Sequence, residues 1–193
     1  MGLRRLAPAF ACLAASALLS GCFLKPDHEE GEALREGLDV RVGGIDYTVY
    51  ITRELNLKLP DDRGYWAGEE APPGFSHYGV FLQACNRSHD DDDLPDETYE
   101  PTGHFKVVDT QGNEYEPHEP EKDNVFQYRP EPLAPGECIP ATGSLAQQGP
   151  TAGAMLLFEF PLAAGENRPL ELEILGDELV PGEPDVGRVE LDL

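Results

Sequence analysis

Leu38-Asp39-Val40-Arg41-Val42-Gly43-Gly44-Ile45-Asp46-Tyr47-Thr48-Val49-Tyr50-Ile51-Thr52 decides the fold class, because apolar residues recur at every second position on both sides of a glycine pair. A period of two sends successive side chains to opposite faces of a strand. Leu38, Val40 and Val42 alternate with Asp39 and Arg41, and Gly43-Gly44 supplies a turn. Ile45, Tyr47, Val49, Ile51 and Leu55 then share one parity, with Asp46, Thr48, Tyr50, Thr52 and Glu54 on the other. This is the pattern of an antiparallel sheet with one buried and one wet face.

The same period continues downstream. Tyr78, Val80, Leu82 and Ala84 alternate with Phe81 and Cys85, so both faces are apolar, as in a central strand. His104 to Asp109, the turn Thr110-Gln111-Gly112-Asn113, and Glu114 to Glu116 read as a hairpin. Val125 to Tyr128 is a further short strand candidate. Ala154, Leu156, Phe158 and Phe160 share a parity, as do Leu170, Leu172 and Ile174, and then Val189, Leu191 and Leu193. No segment keeps a period of 3.6. Seven or eight short strands separated by Pro and Gly turns predict an all-β, antiparallel β-sandwich over residues 38–193. An up-and-down barrel is the alternative, and the long loops favour the sandwich. Asn56 to His77 is one such loop, and it holds Tyr65 and Trp66. Trp66 is expected to anchor the loop on the sandwich, with ligand binding by Tyr65 and Trp66 the minority reading.

Ahead of the strands, Arg4 and Arg5 precede an uncharged run from Leu6 to Leu19, and Leu19-Ser20-Gly21-Cys22 closes it. The run is short of the roughly 20 apolar residues that span a bilayer and matches the core of a secretory signal. These first 22 residues resemble a bacterial lipoprotein signal with its lipobox. The resemblance implies removal of residues 1–21, a diacylglycerol thioether on Cys22 and a polar tether over 22–37. It also implies a membrane-anchored chain facing away from the cytoplasm. Two acyl chains meet the two-signal requirement for stable anchoring. Cleavage by the ordinary signal peptidase is the alternative, and twin-arginine export has a poor flanking consensus.

The whole chain carries 14 basic and 37 acidic residues; without residues 1–21, which hold two arginines and no acid, the balance is 12 − 37 = −25. Such a field repels nucleic acid and anionic headgroups, so nucleic acid is excluded as a partner. Cations or an envelope protein are compatible with it; the sequence sets no oligomeric state. In an oxidising compartment the remaining pair, Cys85 and Cys138, reads as a disulfide.

The order Val80-Phe81-Leu82-Gln83-Ala84-Cys85-Asn86, an acidic loop, Phe105-Lys106-Val107-Val108-Asp109, Tyr115, Leu133-Ala134-Pro135-Gly136-Glu137-Cys138, Leu157-Phe158-Glu159-Phe160-Pro161 and Leu170-Glu171-Leu172 is distinctive as a set. It resembles the immunoglobulin-like, telokin-like families of unknown function in exported lipoproteins of Gram-positive bacteria, especially actinobacteria. The resemblance covers Leu38 to Leu175 and implies an immunoglobulin-like sandwich with no catalytic residues. The acidic run at Asp90 to Asp93 and the strand near Val189 depart from the family pattern.

Chemistry-bearing motifs are sparse. Asp90, Asp91, Asp93 and Asp96 offer oxygen ligands for calcium, but Asp96 stands where an EF-hand loop needs Gly, so a solvated loop is expected. His28, His77, His104 and His118 lack metal-site spacing, so no copper or zinc site is expected and no cofactor is assigned. Gly74-Phe75-Ser76-His77-Tyr78 misses the last position of a nucleophile elbow and precedes a strand where that motif follows one. Asn86-Arg87-Ser88 matches a glycosylation acceptor by accident of composition. The expected function is a non-catalytic binding or interaction module of the envelope. The alternatives are a calcium-binding surface protein acting through loop 90–97 and a passive envelope component.

Overall fold

Alternation becomes strand pairing in ten segments: β1 (Leu34–Arg35), β2 (Asp39–Val42), β3 (Ile45–Glu54), β4 (Phe75–Cys85), β5 (Phe105–Val108), β6 (Glu114–Tyr115), β7 (Cys138–Ile139), β8 (Ala154–Pro161), β9 (Leu170–Val180) and β10 (Glu183–Leu191). The computed structural model describes residues 32–91, 94–180 and 183–193; Cys22, most of the tether and Asp93 lie outside them. One sheet runs β1-β10-β9-β5-β6. The other runs β2-β3-β4, with β8 and β7 end to end along the far edge of β4. The chain is therefore an all-β, immunoglobulin-like sandwich.

Three differences from the sequence expectation have physical causes. Among the described residues the strands number ten because β1, β6 and β7 are two-residue pairings too short to show a period, and β1 joins β10 in parallel. Its residues fall before the boundary at Leu38, so pairing begins within the stretch read as tether. Two short helices, α1 (Pro60–Tyr65) and α2 (Leu145–Gln148), occupy segments read as loop; neither is long enough to display a helical period. Proline opens α1, where its missing N–H costs nothing. Val125 to Tyr128 contributes only an isolated bridge between Gln127 and Met155.

The core lies between the sheets. Tyr47, Val49, Val80, Leu82, Phe158, Leu172, Ile174 and Val189 are all 0 % exposed. Each such aliphatic or aromatic side chain contributes about 1.5–3 kcal/mol by leaving water. Strand β3, however, does not keep one parity along its length. Val49 faces Leu82 and Ile51 faces Phe81, so Tyr50 is an extra residue in a bulge. An inserted residue exchanges the faces of everything after it. Ile51 is consequently 41 % exposed, Thr52 is buried against the sandwich, and Leu55 packs on the opposite side of the sheet from Ile45, Tyr47 and Val49.

That opposite side carries a second apolar cluster. Leu55, Leu57, Tyr65, Phe81, Met155 and Leu157 bury one another, with Trp66 and Phe126 against them. The both-faced apolarity of β4 thus has two partners: the opposing sheet inside, and α1 with the segment around Phe126 outside. The Cys85–Cys138 disulfide joins directly opposed positions of β4 and β7, with Cα atoms 4.1 Å apart. Tyr47 and Tyr128 hold the connection before β5: the Thr102 N–H donates to the Tyr47 hydroxyl at 2.7 Å, and the Tyr128 hydroxyl donates to the Thr102 carbonyl at 2.9 Å. Burial pushes the Tyr47 phenol up to about 12 against the Thr102 hydrogen bond, and raises Tyr128 as well.

Candidate functional site

The outer face of β4 and β8 ends in polar residues where the second apolar cluster stops. His77 and Glu159 are register partners in the β4–β8 ladder, and Nε2 of His77 lies 3.5 Å from Oε2 of Glu159. His118 comes from the segment after β6, whose backbone is fixed by donation of the His118 N–H to the Leu157 carbonyl at 2.7 Å. One ligand atom from each of His77, His118 and Glu159 lies within 4.8 Å of the others. Trp66, at the C-terminal end of α1, closes the cluster: its ring centroid is 6.0 Å from His77 and 5.9 Å from His118. The two imidazoles are themselves 5.7 Å apart.

The environments of the two imidazoles differ. His77 is 5 % exposed, whereas His118 is exposed. Burial lowers the His77 pKa from its ordinary value, Glu159 opposes that shift and His118 adds to it. The net direction favours neutral imidazole, the form with a lone pair to offer. His77 also lines a groove of about 420 Å³ with Glu54, Lys58, Glu70 and Phe75. Ser76 in its wall donates to Glu54 at 2.8 Å, so the serine is paired with a carboxylate in place of a histidine.

Similarity to solved structures is visible at the level of architecture. The Bacillus subtilis protein yjhA superposes with a TM-score of 0.50 at 9% identity, over 82% of this chain and 99% of its own. A second Bacillus subtilis protein, ycdA, described as a candidate lipoprotein, gives 0.47 at 7% identity, over 82% of this chain and 39% of its own. An uncharacterized β-sandwich protein from Clostridium difficile gives 0.44 at 10% identity, over 87% and 100%. What is shared with yjhA is the fold. No family model matches the sequence, and no curated protein does.

The residues singled out from sequence fall in three places. Tyr65 is core: it is 2 % exposed, meets Phe81 and Phe126 edge-on at 5.0 Å, and its hydroxyl accepts the Thr151 N–H at 2.9 Å. Trp66 packs against the second apolar cluster, its indole N–H donates to the Glu69 carbonyl at 3.3 Å, and it borders the histidine pair. The acidic loop is a mixed-charge patch. Arg41 holds Asp46 through Nε at 2.7 Å and also binds Asp91, Arg87 binds Asp39 at 2.7 Å, and His89 reaches Asp90 at 3.2 Å. Asp96 is exposed. Asn86 is wholly buried, and its amide is occupied by the Glu97 and Leu133 carbonyls, which leaves no acceptor for a glycan.

The histidine and carboxylate cluster is what sequence spacing missed. Ligand spacing along a chain detects sites built on one turn or one hairpin, whereas this one is assembled by ladder register between distant strands. The available signal was the parity of Glu159, which shares a strand face with Met155 and Leu157, as His77 does with Phe81.

Proposed function

We propose that the chain is a lipid-anchored extracytoplasmic protein whose sandwich is a non-catalytic interaction module of the cell envelope. The observation that carries this reading is the Cys85–Cys138 disulfide, formed by the two cysteines that remain after the lipobox cysteine. Structural disulfides persist outside the cytoplasm, and the lipobox supplies the route there. The bond ties β4 to the edge of its sheet, so the loops presented to a partner stand on a stiff frame. A calcium role for loop 90–97 has weaker support, because Arg41 already pairs with Asp91 of that loop.

The test is fractionation of cells expressing the natural chain or Cys22→Ala. The natural chain pellets with membranes and gains the mass of a diacylglyceryl group, while the variant is soluble or retained as precursor. A natural chain that carries no diacylglyceryl mass on Cys22, or a Cys22→Ala chain that is cleaved and still pellets with membranes at the natural level, overturns the anchored reading. Freshly isolated protein is expected to block no thiol at Cys85 or Cys138 until reduced; two free thiols there remove the compartment argument.

A further inference from the structure

We propose that His77, His118 and Glu159 form a binding site for a divalent transition-metal ion of the Zn²⁺ or Cu²⁺ class. The donor set is two imidazole nitrogens and one carboxylate oxygen, all within 4.8 Å of one another. Imidazole suits zinc, copper and nickel, whereas calcium and magnesium take oxygen ligands, so the set selects against hard cations. In a tetrahedral site with metal–ligand bonds of about 2.0–2.2 Å, neighbouring ligand atoms are about 3.3–3.6 Å apart. The His77 to Glu159 separation of 3.5 Å already meets that value.

The scaffold fits the role. His77 and Glu159 are fixed opposite each other by the β4–β8 ladder, so that edge of the site is rigid. His118 has its backbone tied to Leu157 while its side chain is exposed, so a rotamer change suffices to bring the third ligand inward. Trp66 packs against both rings and keeps water from one side. Three protein ligands leave one tetrahedral position open for water or for a donor from a partner molecule. The formal charge of −23 on the chain raises the local concentration of cations.

Trp66, the single tryptophan, is a built-in reporter. The full chain, purified in detergent and stripped with EDTA, is titrated with CuCl₂ while Trp66 emission is followed. Bound Cu²⁺ is expected to quench the emission with one-to-one stoichiometry, with reversal by EDTA and competition by ZnCl₂ but not by millimolar CaCl₂. His118→Ala, at an exposed position, is expected to keep the natural unfolding midpoint in EDTA and to weaken Cu²⁺ binding by more than about tenfold, the loss caused by removing even outer partners of a metal site. Glu159→Gln weakens it as well. Zn²⁺ raises the unfolding midpoint of the natural chain and not of His118→Ala. Quenching that is absent, or that persists unchanged in His118→Ala and Glu159→Gln, overturns the proposal and leaves a His–Glu contact packed under a tryptophan.

Discussion

Replacing Asn86 tests whether one buried amide holds the long connections of the sandwich together. Asn86 follows β4 directly and is 0 % exposed. Its Nδ2 donates to the carbonyls of Glu97 and Leu133, each at 2.8 Å, and its Oδ1 accepts the Ser88 N–H at 3.1 Å. Its backbone is tied to Glu137 at 3.0 Å and to Gly136 at 2.8 Å. Asn86→Ala removes three side-chain hydrogen bonds, each worth about 1 kcal/mol net. The Leu133 carbonyl keeps the Tyr99 N–H at 3.1 Å and Glu97 is exposed, so the expected loss is about 2–3 kcal/mol. In a chain of this size that lowers the melting midpoint by about 5–10 °C. Asn86→Asp keeps the shape but turns a carboxylate toward two carbonyl oxygens and loses both donors. At neutral pH it should cost more than alanine, about 3–5 kcal/mol, as an uncompensated buried charge does. Its folded pKa is therefore raised, so the extra penalty is full above that value. It eases as pH falls and is gone near the unfolded value of about 3.9. Urea unfolding with the disulfide intact, followed by Trp66 emission, reads both variants as midpoint shifts at constant slope. An alanine variant within about 0.5 kcal/mol of the natural chain, with aspartate no worse, would refute the reasoning.

Two further outcomes follow from the same structure. Opening the Cys85–Cys138 bond, by reductant or by replacing both cysteines with alanine, frees a loop of sequence separation 53 and should cost about 4 kcal/mol; a melting midpoint that ignores reductant contradicts this. Asp109 is 5 % exposed, and although burial opposes its ionisation, the side chains and N–H groups of Asn113, Asn167 and Gln111 hold its carboxyl well below the usual range. A depressed folded pKa stabilises above the unfolded value and is lost as pH falls through the folded one. The stability gap between the natural chain and Asp109→Asn should therefore be constant from pH 7 to about 5 and narrow below about 4; a gap that stays constant down to pH 2 is the contrary result.

The parts of the fold that were legible and those that were not differ in how local their causes are. Leu170, Leu172 and Ile174 announced β9 because each faces the same core, and the Thr110 to Asn113 turn announced its hairpin through its own residues. The bulge at Tyr50 was hidden: the residues of β3 alternate without a break, and only the pairing with Leu82 and Phe81 shows that one is unmatched. The consequence reaches the candidate site. The bulge sends Leu55 to the outer face, where it joins Phe81 and Leu157 in the cluster that seats Trp66, and Trp66 in turn covers His77 and His118. A strand that had kept its expected parity would have left Leu55 between the sheets and the outer face of β4 without one of its packing partners. Sequence therefore reveals the frame through each strand's own period. The site depends on the register between strands, which no single segment encodes, and that is why His77 and Glu159 become neighbours only when β4 and β8 are paired residue against residue.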